Sequence, residues 1–247
     1  MSPGNPKAQY YFATPQAAMA MAHSTDAGID HGPSLGASYQ KKLAQFDIQT
    51  VGATAGVNTF ELLDYLLYYP GIAMDVDTYT MDNTTTLPRY TDGRGVQIMV
   101  VEQSPYVGGA TFRINYTNSD GTAGRQTATM TCNTQVTSGT IVTSATATAG
   151  CVGLYAALQR GDSGVRSIES VEILSADVGL LCCVLVKPLA YFSIHEITAP
   201  NQFSMWRDFS MQPTIVDDAY LNLVCKPSGT IAGAQIVGSV TTIWSAV

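Results

Sequence analysis

Hydrophobic and polar positions alternate most clearly between Ala110 and Thr117. Ala110, Phe112, Ile114 and Tyr116 fall on one side, and Thr111, Arg113, Asn115 and Thr117 on the other. A period of two predicts a half-buried strand. The turn Asn118-Ser-Asp-Gly-Thr-Ala-Gly124 holds residues that accept positive φ at low cost, and Arg125–Cys132 is predicted to return beside it. Upstream, Leu87–Gly95 reads as a turn leading into the apolar run Val96–Val101. The whole stretch Leu87–Cys132 reads as a rigid β platform.

Shorter β segments are predicted at Gly139–Ser144, Cys151–Gln159, Arg166–Leu174 and Leu189–Ile194. Val178–Val186 is apolar without alternation, as in a strand covered on both faces, and Lys187-Pro188 is predicted to end it. Met205–Pro213 reads as a loop or short helix. Ala219–Cys225 and Gly233–Trp244 read as a closing hairpin about Lys226–Thr230. One helix is predicted, Asn58–Tyr69. Asn58 and Glu61 stand at capping-box spacing, Phe60, Leu63, Leu66 and Leu67 form a stripe, and Pro70-Gly71 stops it.

Met1–Gly56 shows no sustained periodicity and is punctuated by Pro3, Pro6, Pro15 and Pro33; Thr14-Pro15 could start a short helix. The reading is an N-terminal arm or irregular layer over 1–56 and a β-rich body over 57–247. The fold class expected is mainly β: a β-sandwich or jelly-roll-like body with one short helix and an extended N-terminal arm.

Composition sharpens this picture. Charged residues make up 13% of the 247 residues, about half of the usual ~25%. Thr, Ser, Asn and Gln must therefore cover surface that charge normally covers, and interfaces between subunits are where charge is depleted. The net charge of −7 and the scattered Lys and Arg exclude binding nucleic acid through its phosphates. Val178–Val186 is too short to span a bilayer, and Ala17–Ala22 is too weakly apolar for a secretory leader. Folding in a cytoplasm is expected, with no membrane partner. Five Cys (Cys132, Cys151, Cys182, Cys183, Cys225) without Cys-x-x-Cys spacing read as free thiols packed as small hydrophobes.

Candidate chemistry is sparse. Gly161-Asp-Ser-Gly164 matches the tetrapeptide that carries the nucleophile of trypsin-like proteases, but His23 lies in Met21-Ala-His-Ser24 and Val165 follows where Gly is usual. A tight turn between strands explains the same letters. Asp75, Asp77 and Asp82 lack the order of a calcium loop. Glu169 and Glu172, with Glu196, could pair as hydrolase carboxylates, yet Glu169 and Glu172 are expected on opposite strand faces. The three His are far apart in sequence, so no metal site is expected. Tyr65, Tyr68 and Tyr69 read as core packing. Asn83-Thr-Thr85 and Asn115-Tyr-Thr117 match glycosylation sequons, which mean little without a secretory route. No catalytic residue, cofactor or metal is assigned, and no enzyme is expected.

Five segments resemble virion proteins of tailed bacteriophages: Asp64–Pro70, Leu87–Val96, Tyr116–Arg125, Gly161–Val171 and Asp217–Asn222 with the strand that follows. The resemblance covers about Asp64–Trp244. By size and β content the chain is similar to auxiliary capsid proteins, the cement or decoration proteins. That resemblance implies a structural role on the capsid exterior, as a homotrimer clamping neighbouring major capsid protein subunits. Met1–Gly56 lies outside the match and is expected to make much of the contact with the shell. The alternative is a phage head or tail β-sandwich module binding host glycans through Tyr10, Tyr11, Tyr106 and Tyr155.

Overall fold

The computed structural model describes residues 16–34, 36–51, 58–105, 107–132, 138–142, 151–152, 154–196, 199–208, 212–227 and 235–247. In chain order its elements are β1 (Met19–Ala20), α1 (His23–Asp26), β2 (Tyr39–Val51), β3 (Asn58–Ala73), β4 (Thr78–Thr80), β5 (Gln97–Ser104) and β6 (Thr111–Asn118). There follow β7 (Arg125–Gln126), β8 (Met130–Thr131), β9 (Cys151–Val152), β10 (Tyr155–Ala156), β11 (Val165–Ile173) and β12 (Leu180–Ser193). The chain closes with β13 (Asn201–Ser204), α2 (Met205–Asp208), β14 (Tyr220–Pro227) and β15 (Gln235–Ala246). The chain is mainly β and its strands pair antiparallel. Among the described residues, no helix is long and apolar enough to cross a membrane.

Two compact units share the chain, one comprising Met1–Met21 with Tyr65–Lys187, the other Ala22–Asp64 with Pro188–Val247. The first is a β-sandwich. One sheet has the order β1-β3-β12-β5, and the other β4-β11-β6-β7 with β8 also on β6. Leu66, Ile98, Val100, Leu181 and Leu185 from the first sheet share one core with Phe112, Ile114, Tyr116, Ile168 and Val171 from the second. Facing apolar sides of two sheets are the stable solution for strands with one oily face. β6 buries Phe112, Ile114 and Tyr116 completely, as its alternation predicts.

The second unit holds the sheet β13-β2-β15. Leu43, Phe46 and Ile48 of β2 pack with Phe60 and Leu62 of β3, Phe192 of β12 and Leu221 of β14. The rings of Phe46 and Phe192 stack with centroids 4.5 Å apart.

Several sequence expectations are corrected. Asn58–Tyr69 is not a helix; it is most of β3. From Leu62 to Pro70 no β3 residue is even half exposed, so both faces demand apolar side chains and the helical and strand templates fit equally well. Pairing decides: Met19 and Ala20 lie opposite Tyr68 and Leu67, and β12 flanks the other edge. Glu61, instead of capping a helix, pairs with Lys226 at 3.0 Å. Among the described residues the helices are the single turns α1 and α2, the latter within the expected Met205–Pro213.

Pro188 does not end its strand, since β12 runs on to Ser193. Its partner β5 is last paired at Val186, so the missing N–H of Pro188 removes no rung from that ladder. The closing hairpin is also absent: β14 pairs with β3 and β15 with β2. Cys151–Gln159 is divided into β9 and β10, which pair with each other. Of the predicted arm, residues 1–15 lie outside the described residues, including Thr14-Pro15, while Tyr39–Val51 is the long strand β2. The two units divide the chain after Met21, Asp64 and Lys187.

Candidate functional site

Three glycine-bearing turns of the first unit meet around Gly161–Gly164. Gly95 N–H donates to Ser163 O at 2.8 Å, and Ser119 N–H donates to Gly164 O at 2.8 Å. A Cβ on Gly164 would stand 2.0 Å from Gly93 O, so only glycine permits this approach. The Asp162 carboxylate, with 3% of its side chain exposed, accepts from Tyr116 Oη at 2.6 Å, Asn118 Nδ2 at 2.8 Å and Arg125 Nε at 3.0 Å. Burial opposes its ionisation, yet the hydrogen bonds from Arg125, Tyr116 and Asn118 outweigh that and hold it below the usual carboxylate range. Ser163 Oγ meets Ser119 Oγ at 2.8 Å. The tetrapeptide thus ties turns together.

The outward face of β6 and β11 carries a second polar set. Arg113 donates twice to Glu172, at 2.7 and 3.1 Å. Asn115 donates to Ser170 at 2.9 Å, and Thr117 donates to Glu169 at 2.7 Å. Arg113, Asn115 and Thr117 share one face, so Glu169 and Glu172 share it too, against the expected opposite placement. Of two register shifts in β11, between Val165 and Ser167 and between Ile168 and Ser170, the second is the cause. Each leaves an extra residue, Arg166 and Glu169, and each reverses the alternation. Arg166 donates to Ser119 O from Nε at 3.0 Å and Nη2 at 2.7 Å. Both carboxylates are therefore engaged in joining strands.

The remaining candidates are dispersed. Asp75 accepts from the Tyr79 hydroxyl, Asp77 from Thr78 N–H at 2.7 Å and Asp82 from Thr84 N–H at 2.9 Å. Among the described residues no group of three or more His, Cys, Asp or Glu could hold a metal ion. Glu196 and His195 lie on an exposed stretch bound to Asn201. Asn83 accepts from Tyr69 Oη and donates to Ile168 O, while Asn115 also accepts from Gln126 at 2.9 Å, so both sequon amides are occupied. Tyr65, Tyr68 and Tyr69 are buried, as expected. Of the candidate glycan-binding tyrosines, Tyr155 is half-buried in β10, and Tyr10, Tyr11 and Tyr106 lie outside the described residues. Cys132, Cys182 and Cys183 are buried and outside any disulfide; burial pushes Cys182 and Cys183 well up, and Cys225 to about 11.

Two features were missed by the sequence reading. In the second unit, Lys41 is buried with 1% of its side chain exposed. Its Nζ donates to His31 Nδ1 at 2.9 Å and Gly32 O at 2.9 Å, lies 3.6 Å from Asp217, and stands 4.6 Å from the Trp244 ring centre. His31 Nε2 lies 3.0 Å from Ala219 O, which assigns its proton to that nitrogen and leaves Nδ1 as acceptor. Burial, reinforced by Lys41, pushes the His31 imidazole down, and burial likewise pushes Lys41 down. The His23 and His31 rings, eight residues apart, stand only 5.0 Å apart. Nothing in the spacing of His31, Lys41 and Asp217 announces the cluster, because it depends on where β2 and the Asp217 turn meet.

The other feature is Glu102 of β5, wholly buried with neither carboxylate oxygen hydrogen-bonded. It lies opposite Leu181, on the side of β5 that carries Ile98 and Val100 into the core. Burial raises its carboxyl above the usual range. The first unit also has an open cleft of about 310 Å³ lined by Asn83, Thr85, Thr86, Leu87, Thr91, Arg166 and Ser167.

No family model matches the chain, and neither a curated protein nor a solved structure matches it at a significant level.

Proposed function

We propose that the chain is a structural protein of a tailed-phage virion, a capsid cement or decoration subunit that clamps neighbouring major capsid subunits from the shell exterior. One observation carries this reading: three carboxylates that could do chemistry, Asp162, Glu169 and Glu172, fasten the first unit together. Asp162 binds Tyr116, Asn118 and Arg125, Glu172 binds Arg113, and Glu169 binds Thr117. A subunit that bears load needs such cross-ties, together with surface that can lose its water cheaply. A charged fraction of 13% supplies the second requirement. Repetition around a shell then turns modest contacts into firm attachment, because each bound subunit raises the effective concentration of the next contact. The virion assignment rests on the five segments that resemble phage structural proteins.

The test is composition. Particles made by the genome that encodes this chain, purified through a density gradient, are expected to contain it in a fixed ratio to the main shell subunit. Recovery only in the soluble fraction, or turnover of a substrate there, would overturn the proposal.

A further inference from the structure

β15 is a long edge strand without the usual protection. Its strand partner is β2, and among the described residues no other strand lies along it. Gln235–Ala246 contains no Asp, Glu, Lys, Arg, His or Pro, the residues that normally blunt an edge. Twelve residues at ~3.4 Å rise make about 40 Å of edge. Along it, alternate residues turn their N–H and C=O away from β2. The side chains are exposed as well: Ile236 is 41% and Val237 48% accessible.

We propose that this edge joins two copies of the chain, β15 pairing antiparallel with β15 of a second copy to make a continuous sheet β13-β2-β15-β15-β2-β13. A second copy suits the edge for three reasons. The strand is uncharged, so two of them meet without like-charge repulsion although each chain carries −7. The outward backbone groups belong to residues of one parity in both copies, so the two-fold axis must pass through a residue rather than between residues. With the axis at Val240, Ile236 lies opposite Trp244 and Val237 opposite Ile243, the β-branched and aromatic pairings that stabilise adjacent strands. Moving the axis to Thr241 would set Trp244 against Gly238 and Ile243 against Ser239. Val240 therefore marks the favoured register.

The contact is long but narrow. About 40 Å by about 10 Å is on the order of 400 Å² per copy, half of the ~800 Å² typical of a stable partner. A concentration-dependent dimer follows. This inference does not rest on the virion reading, and the two fail separately, since one is read in purified protein and the other in particles.

The full chain is tested by sedimentation from micromolar to millimolar concentration and by spin-label distances in Gln235→Cys, Ser239→Cys and Ser245→Cys, with the unsubstituted chain labelled in parallel as control. Distances between like residues should grow by about 7 Å for each residue away from the axis. The Ser239→Cys pair should therefore be close, and the other two should give equal separations near 34 Å of backbone. Val237→Lys with Thr241→Lys, both at exposed positions, should weaken dimerisation at least tenfold and leave the melting temperature unchanged. A monomer at every concentration, unequal separations at residues 235 and 245, a trimer with other distances, or indifference to the lysines would each overturn it.

Discussion

Gly164 touches backbone on two sides, with Gly93 O and Gly95 N both inside the space a Cβ would need. Gly164→Ala must push the Gly93–Gly95 turn away and break the bond from Gly95 N–H to Ser163 O. The expected loss is at least about 2 kcal/mol of unfolding free energy, read from urea titration. Glu102 behaves in the opposite sense, as a native residue that costs stability. Its raised carboxyl means that the folded chain holds a proton more tightly than the unfolded chain. The associated stability is complete below about pH 4.3 and is lost as pH rises through the folded value. Glu102→Met keeps the volume and removes the buried carboxyl, so it should stabilise the protein by about 2 kcal/mol at pH 7. The advantage should shrink toward pH 4, and equal stability of the two proteins at pH 7 would count against a buried, unpartnered Glu102.

At the scale of elements, the regular strands were legible and the irregular ones were not. β6 alternates without a break, and its core face was read correctly residue by residue. β2 escaped notice because a register shift between Thr241 and Thr242 of its partner β15 leaves Ala44 as an extra residue, so its buried positions run Leu43, Phe46, Ile48. A spacing of three and then two matches no simple period. The same effect in β11 misplaced Glu169 relative to Glu172. β3 failed for a different reason: a strand apolar on both faces carries no periodic signal.

The segment ahead of β2 is held by the His31–Lys41 contact, which joins it to β2 and to the Asp217 turn. A neutral His31 is required, because a protonated ring would offer Lys41 a cation in place of an acceptor. With the imidazole pushed down by burial and by Lys41, stability is complete above about pH 6.5 and falls as pH drops through the folded value. His23, Asp30, Lys41 and Asp217 are the charged or titratable groups around it. His31→Leu should cost about 1–3 kcal/mol at pH 8 and flatten the pH dependence between 7 and 5, as followed by thermal melts. A wild-type melting temperature constant over that range would contradict the contact.

The whole molecule is a mainly β protein, sparing of charge, whose polar side chains are turned largely on one another. Composition and alternation pointed to that class directly. They did not reveal the division into two units, because the chain passes between them after Met21 and within β3 and β12, where no linker composition marks the change. In the proposed capsid role it would act through the surfaces it presents and the stiffness behind them. The most direct measurement of that claim is the temperature at which particles lacking this chain release their DNA, compared with the same particles after purified protein is added back. Release is expected at a lower temperature without the protein, with full restoration once it is added back; identical release temperatures, with no binding of the added protein, would contradict the capsid role.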